Sequence, residues 1–188
     1  MNNPAHRRRR LLLLATLSAF PLGAMAQPRA ALVEAAARGD LAQVRLLMER
    51  GESIEQRDAD GRTPVLAATA GNHTEVVRAL IARGANVNAQ DNRRDSAFLL
   101  AGARGYTDIV RATLAAGADL KSTNRFGGTA LIPACHYGHV DTVRLLLTTA
   151  INVNHVNNLG WTALLEAVIL GDGGPAHAEI VRLLLAHE

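Results

Sequence analysis

The chain repeats itself with a period of 33 residues, and this repetition limits its fold more than any other feature. Three columns, each dominated by glycine, carry the period. The first holds Gly39, Asn72, Gly105, Gly138 and Gly171, the second Gly51, Gly84, Gly117 and Ala150, and the third Gly61, Arg94, Gly127 and Gly160. Similarity at a fixed period of about 20 to 50 residues is typical of stacked supersecondary units. We therefore expect an open array of small units rather than a closed globule.

Each period carries the start signals of two helices. Thr63 precedes Pro64, an order typical of a helix N-cap and first helical residue, and Thr129 and Thr162 stand at equivalent places. In the second predicted helix an acid precedes an arginine by three positions; the pairs are Glu75 with Arg78, Asp108 with Arg111, Asp141 with Arg144 and Glu179 with Arg182. The acids suit the first helical turn, and the spacing predicts ion pairs worth about 0.2–0.5 kcal/mol each.

The residues within one period also carry a resemblance. Residues 60–68 read DGRTPVLAA, residues 75–81 read EVVRALI and residues 84–88 read GANVN. This order resembles the ankyrin pattern DGxTPLHxAA, EVVxLLL and GADVN, and partial copies return after residues 96, 129 and 162. The resemblance covers about residues 30–188. It implies an all-α ankyrin-repeat solenoid of about five helix-turn-helix repeats with short β-hairpin-like finger loops, at about 30–58, 59–91, 92–124, 125–157 and 158–188.

Two positions depart from the glycine columns. Arg94 stands where the pattern has a loop glycine, so it should adopt a positive φ at a strain of about 1–2 kcal/mol. Asn72 stands in the inter-helix column, and asparagine is the non-glycine residue that tolerates the left-handed region best. Several buried leucines at about 1.5–3 kcal/mol each outweigh this strain.

Residues 1–26 fall outside the repeats and are predicted to be a secretory signal. Arg7–Arg10 form a basic segment, Leu11–Gly23 an uncharged apolar segment and Ala24–Ala26 an A-x-A cleavage site. The apolar run is short for a membrane span, so we expect cleavage after Ala26, no stable membrane span in the product, and a periplasmic or secreted domain at 27–188. The leucine-dense segment favours general export; twin-arginine export and a retained anchor helix are the alternatives.

The charge of the chain is explained by this segment. The whole chain has a net charge of +3, but four arginines and no acids lie in the predicted signal, so the remainder carries −1. Only 3% of the residues are aromatic. The predicted product therefore lacks the clustered basic face that nucleic-acid binding needs, and we expect no nucleic-acid partner.

The sequence offers no catalytic constellation. It contains no nucleophile elbow, no phosphate loop and no His-Glu-x-x-His helix. Cys135, His136 and His139 have metal-ligand chemistry, but Cys135 is the sole cysteine and stands at a small-residue helix position of the ankyrin pattern, so we favour packing over ligation. We expect no enzyme activity, no cofactor and no metal site.

The finger tips hold the most partner-like side chains. In ankyrin arrays the tips and first helices line a concave groove, so the resemblance implies contacts to another protein there. Trp, Phe and Arg supply much of the binding energy at interfaces. The candidates are Arg93, Arg94, Arg125, Phe126, Leu159 and Trp161. Solvated arginines and a Trp161 ring packed on the neighbouring finger remain the alternative.

The last repeat adds two further candidates for contact. Aligning Glu179 on the pattern requires a five-residue insertion within 171–177, a glycine-rich loop that should project with Asp172 and His177, or be a harmless surface insertion. The final helix is as apolar as an internal one, so self-association through it is a second expectation.

The resemblance implies a non-catalytic binding scaffold. Small exported ankyrin proteins of Gram-negative bacteria are similar to this chain, including the LGDGGP insertion, and some are linked with catalase and defence against peroxide. A secreted effector or toxin–immunity component that binds a target protein is the alternative.

Overall fold

The structure, a computed structural model, describes residues 30–187, and the predicted signal segment lies outside them. Ten α-helices and no β-strand form within these residues. They are α1 (Ala31–Ala37), α2 (Leu41–Glu49), α3 (Pro64–Ala70), α4 (Thr74–Ala82), α5 (Ala97–Arg104), α6 (Thr107–Ala115), α7 (Leu131–His136), α8 (Val140–Leu147), α9 (Ala163–Ile169) and α10 (Pro175–Leu185). Over residues 30–187, every helix is too short or too polar to cross a bilayer.

The helices stack in two rows. The first row is α1, α3, α5, α7 and α9, and the second row is α2, α4, α6, α8 and α10. Each helix contacts its partner in the same pair and its neighbours in its own row. The core runs continuously between the rows, and Leu80, Ile109, Leu146 and Ile180 are fully buried in it. At about 1.5–3 kcal/mol for each such side chain, inter-repeat packing is the main source of stability. The predicted all-α solenoid is therefore confirmed.

Four of the five first-row helices, α1, α3, α5 and α9, begin at equivalent places, but the predicted threonine caps form only in part. Ser96 and Thr162 accept hydrogen bonds from the N–H groups of Leu99 and Leu165, both at 3.3 Å. The hydroxyls of Thr63 and Thr129 are buried and make no hydrogen bond. Thr63 thus occupies the predicted N-cap position without the capping bond, whereas the prediction was wrong for Thr129, because Ala130 is the N-cap of α7.

The start of α7 is shifted by one residue because it contains a proline. In α3 the N–H of Ala67 donates to the carbonyl of Thr63 at 2.9 Å. The equivalent donor in α7 would be Pro133, which has no N–H, so regular helix begins at Leu131. Thr129 therefore lies two residues before the first residue of α7, whereas Thr63 lies directly before α3.

The finger tips are turns built on one recurring residue type. Asp58, Asp91, Asn124 and Asn157 are spaced 33 residues apart, and each accepts bonds at 2.8–3.1 Å from the backbone N–H groups two and four residues further on. Backbone bonds also join neighbouring tips, as between the N–H of Asn158 and the carbonyl of Phe126 at 2.9 Å. These bonds fix the relative positions of the tips.

Both predicted left-handed residues adopt that conformation. Arg94 has φ 62° and Asn72 has φ 56°, while Gly127, in the same column as Arg94, has φ 73°. The turn geometry is thus retained without glycine, which confirms the prediction from the repeat columns.

The predicted ion pairs of the second row form only in part. Glu75 pairs with Arg78 at 3.1 Å, and Glu179 pairs with Arg182. Arg144 instead reaches Glu179 of the next repeat at 3.0 Å, which leaves Asp141 without its predicted partner. Asp108 and Arg111 form no ion pair among the described residues.

The insertion forms less loop than predicted. Helix α10 begins at Pro175, so the irregular segment between α9 and α10 spans only 170–174, and Glu179 lies beyond the first turn. His177 is buried, and its Nε2 bonds the carbonyl of His136 at 2.9 Å. His139 makes the equivalent bond to Ala103, 36 residues back, whereas His177 reaches 41 residues back. Because the inserted residues extend the helix, this inter-repeat bond is preserved and His177 is not part of an exposed loop.

Candidate protein-binding groove

An open groove of about 940 Å³ lies along one side of the array. We call it the groove; the finger tips 91–95, 124–128 and 157–161 form one wall, and α5, α7 and α9 with the residues after them form the other. Its place between finger tips and first-row helices is the place that the ankyrin resemblance implied. Fingers and helices are both held by backbone hydrogen bonds, so the groove is largely pre-formed.

Four of the predicted contact residues line the groove, and the other four do not. Arg93, Arg125, Phe126 and Leu159 line it. Arg94 and Asp172 are exposed elsewhere, Trp161 is half-buried outside the lining, and His177 is buried. The prediction that His177 offers a surface contact was wrong, because its ring bonds Asp172 and the carbonyl of His136.

An aromatic ring and an arginine are joined at one finger tip. The guanidinium of Arg125 lies 4.4 Å from the ring centroid of Phe126, a cation–π contact. Phe126 is nonetheless 51% exposed and Leu159, on the next tip, is 65% exposed. Large apolar side chains are thus presented to solvent in an ordered position.

A polar cluster forms the floor of the groove. The carboxylate of Glu166 accepts from Asn157 Nδ2 at 3.0 Å and bonds His136 Nδ1 at 2.7 Å. Glu166 is buried and lies in the first turn of α9, where the helix dipole favours a negative charge. Asn157 meanwhile holds its finger tip through its side-chain oxygen. The cluster ties the third finger to α7 and α9, so its groups are engaged structurally.

Three further groove residues, Glu166, Asn157 and Tyr137, were not predicted from the sequence. Tyr137 follows α7, is 61% exposed, and contacts the His136 ring in a tilted arrangement, with ring centroids 4.3 Å apart. The recurrence of Asp and Asn at the finger tips was visible in the sequence and pointed to Asn157. The pairing of Glu166 with His136 joins two repeats, and the 33-residue columns contain no signal for it.

Arginines surround a carboxylate at the first finger of the groove. Asp95 is half-buried, and burial together with the nearby charge of Asp91 raises the pKa of Asp95. Arg125, Arg93 and Arg104 act in the opposite direction and only partly offset that shift. None of these arginines forms an ion pair within residues 30–187.

The surroundings of His139 and Cys135 indicate a structural role for both side chains. Burial lowers the pKa of His139, whose Nε2 lies 3.3 Å from the carbonyl of Ala103. Burial, with the charge of Glu166, raises the pKa of the Cys135 thiol, so this side chain packs as an apolar group between repeats. Within the described part of the chain, no group of His, Cys, Asp and Glu side chains has the arrangement of a metal site.

The terminal helix packs differently from the expectation. Ile180 and Leu184 of α10 are buried against the array, and Leu185 is 54% exposed. The exposed apolar surface at this end lies mainly on α9, where Leu165 is 40% and Val168 is 61% exposed. Leu66 and Leu99 occupy the position of Leu165 in earlier repeats, and they are at most 2% exposed because the following repeat covers them.

The paired helices, asparagine- or aspartate-based finger turns and side groove define a repeat protein of the solenoid class. A family model of ankyrin repeats in three copies matches residues 13–91, 32–124 and 97–188. The chain belongs to the ankyrin-repeat family, whose members are generally non-catalytic scaffolds for protein–protein interaction.

Solved structures give the same picture. An ankyrin repeat domain from Acinetobacter baumannii AYE is 53% identical, with a TM-score of 0.80 over 83% of this chain and 80% of that one. EF0377, an ankyrin repeat protein, is 41% identical, with a TM-score of 0.80 over 84% of this chain and 80% of that one. No curated protein matches the chain.

Proposed function

We propose that this chain is a non-catalytic scaffold that holds a partner protein in the groove. The observation that carries the proposal is the exposure of Phe126, Tyr137 and Leu159 in one ordered groove beside arginines that have no ion-pair partner among the described residues. Aromatic and arginine side chains dominate binding energy where a partner desolvates them. A pre-formed site also loses less conformational entropy on binding than a flexible loop would.

The chemistry of the groove supports binding rather than catalysis. At the floor, Glu166 is buried and bonded to both His136 and Asn157, and Cys135, which does not line the groove, is buried with a raised pKa. A nucleophile must instead be accessible and activated by a neighbouring base. The groove therefore offers contact surface and charge, which a scaffold needs.

Capture from the native cells tests the proposal. Five versions of the domain are immobilised: the wild type, the groove variants Arg93→Glu and Leu159→Ser, and the control variants Arg83→Glu and Arg111→Glu. The two control arginines are exposed and lie outside the groove lining. We expect one protein to be captured by the wild type and both controls and lost with the groove variants. Equal capture by all five, with unchanged thermal unfolding, would contradict the proposal.

The site of action proposed here is the periplasm. This part of the proposal is supported by the basic, apolar and A-x-A segments of residues 7–26, which lie outside the described residues. Osmotic-shock fractionation should release a shortened chain that begins at Gln27. Recovery from the growth medium would favour the secreted effector or toxin–immunity alternative, and full-length chain in the membrane fraction would contradict cleavage.

A role in peroxide defence is the most specific part of the proposal and is supported by the resemblance to small exported ankyrin proteins. Cells lacking the chain should be more sensitive to hydrogen peroxide than cells that express it. Restoring the Leu159→Ser variant should fail to rescue them, because the role is proposed to require the groove. Normal peroxide resistance without the chain would contradict this role.

Self-association is a second candidate, supported by the exposed face of α9. Leu165 and Val168 occupy positions that a following repeat would cover, so a second copy stacked on this face would bury them. Sedimentation velocity should show a dimer that dissociates with Leu165→Glu and persists with Arg111→Glu. A monomer at every protein concentration would contradict this candidate.

A further inference from the structure

The charge of the groove differs in sign from that of the predicted mature domain. Arg93, Arg104 and Arg125 line it against two carboxylates, Asp95 and Glu166, an excess of one positive charge. Residues 27–188 together carry −1. The groove is thus a local basic site on a slightly acidic domain.

The two carboxylates do not neutralise the arginines. Glu166 is buried in the floor and bonded to His136 and Asn157. Asp95 is half-buried and lies more than 4.0 Å from every described arginine nitrogen, since no ion pair joins it to them. The three arginine side chains are exposed, so their guanidinium groups remain available to an external anion. Each guanidinium can hold a carboxylate through two parallel hydrogen bonds.

Apolar side chains alternate with these charges along the groove. Phe126 lies next to Arg125 on the middle finger, Leu159 follows on the last finger, and Tyr137 lies across on the helix side. A complementary ligand therefore carries carboxylates and at least one apolar side chain close together. Polypeptide meets both requirements within a few residues.

We propose that the groove binds a short acidic segment of a partner protein, in which Asp or Glu residues flank an apolar side chain. The carboxylates meet Arg93, Arg104 and Arg125, and the apolar side chain rests between Phe126, Leu159 and Tyr137. This inference rests on the proposed scaffold function and specifies the partner's chemistry. Single-stranded nucleic acid is the competing polyanion, but it needs basic side chains along its whole backbone, whereas the groove has an excess of only one positive charge.

A displayed library of random short peptides, selected on the purified domain, tests the inference. We expect the enriched peptides to contain Asp or Glu on both sides of a Leu, Phe or Trp, and to bind more weakly as ionic strength rises. Arg93→Gln and Arg125→Gln should each weaken the best peptide about tenfold, as for loss of a hydrogen bond between charged groups. Arg83→Gln and Arg111→Gln, outside the groove lining, should leave its affinity unchanged. Thermal unfolding of every variant reports whether the fold is intact.

The outcomes separate this inference from the scaffold proposal. If the enriched peptides are neutral or basic and their binding is lost with Leu159→Ser, the acidic-segment inference is overturned. The groove then remains a protein-binding site. A library that yields no groove-dependent peptide also overturns the inference, while the scaffold proposal is judged separately by the capture experiment. A single-stranded oligonucleotide that binds and is lost with the arginine variants overturns it in favour of nucleic acid.

Discussion

Two buried threonine hydroxyls provide a sharp test of how the first-row helices are stabilised. Thr63 and Thr129 are 0% and 1% exposed, and neither hydroxyl has a hydrogen-bond partner. The ankyrin pattern has histidine three residues after the threonine, whereas this chain has Leu66 and Ile132, which offer no polar atom. A buried polar group without a partner costs about 1–3 kcal/mol.

Replacing these threonines with valine should therefore stabilise the protein. Valine keeps the shape of threonine and removes the hydroxyl, so we expect Thr63→Val and Thr129→Val each to raise the free energy of unfolding by about 1 kcal/mol. The two sites lie two repeats apart, so their effects should add. In a domain of this size each should raise Tm by about 2–4 °C.

Thr162→Val is the matched control, because its hydroxyl accepts from the N–H of Leu165. Loss of that cap should lower the free energy of unfolding by about 0.5–2 kcal/mol. Urea unfolding followed by circular dichroism measures all three variants. If Thr63→Val destabilises the protein as much as Thr162→Val does, the hydroxyl of Thr63 is bonded in solution and the reasoning fails.

Three further predictions concern the core, a strained turn and a buried histidine. Leu146→Ala, in a fully buried position, should cost about 2–5 kcal/mol in urea unfolding, and a loss below about 1 kcal/mol would contradict the packing described. Arg94→Gly should gain about 1 kcal/mol in the same assay because φ is 62° there, whereas Gly127→Ala should lose stability because φ is 73° and the added Cβ would crowd the side chain and backbone N of Asn158. The bond to the His136 carbonyl, together with Asp172, raises the pKa of His177 although burial opposes it, so His177 stabilises the fold most below about pH 6.5 and less as the pH rises through its raised pKa. The difference in unfolding free energy between wild type and His177→Gln should shrink from about pH 5 to about pH 8, a range of about 1.5 units on either side of the ordinary histidine pKa. A difference that grows over this range would contradict a charged His177 ring.

The fold was predictable because the period, rather than any single residue, carries it. A column position has the same backbone geometry in every repeat, so Arg94 and Asn72 could be assigned a left-handed φ from the glycines that occupy the same column in other repeats. The location of the groove followed from the same register, since tips and first-row helices recur together. The tip residues Arg93, Arg125, Phe126 and Leu159 were identified in this way.

What depends on contacts between repeats was not predictable from the columns. Thr63 and Thr162 occupy one column, yet only the second forms a cap. His177 was assigned to a loop because the insertion breaks the register, whereas the added residues wind into α10 and keep its bond to the preceding repeat. His136 on α7 and Glu166 on α9 are bonded at 2.7 Å, and the repeat columns contain no signal for this contact between neighbouring repeats.

Site-specific photocrosslinking in the native cells tests the central claim, that a partner protein occupies the groove. A photoreactive phenylalanine analogue is placed at Leu159 or Phe126 in the groove, or at Leu46, which is 39% exposed on α2 outside the groove lining. We predict one discrete adduct with the same protein from both groove positions and none from Leu46. No adduct from either groove position, or a stronger adduct from Leu46, would contradict the account.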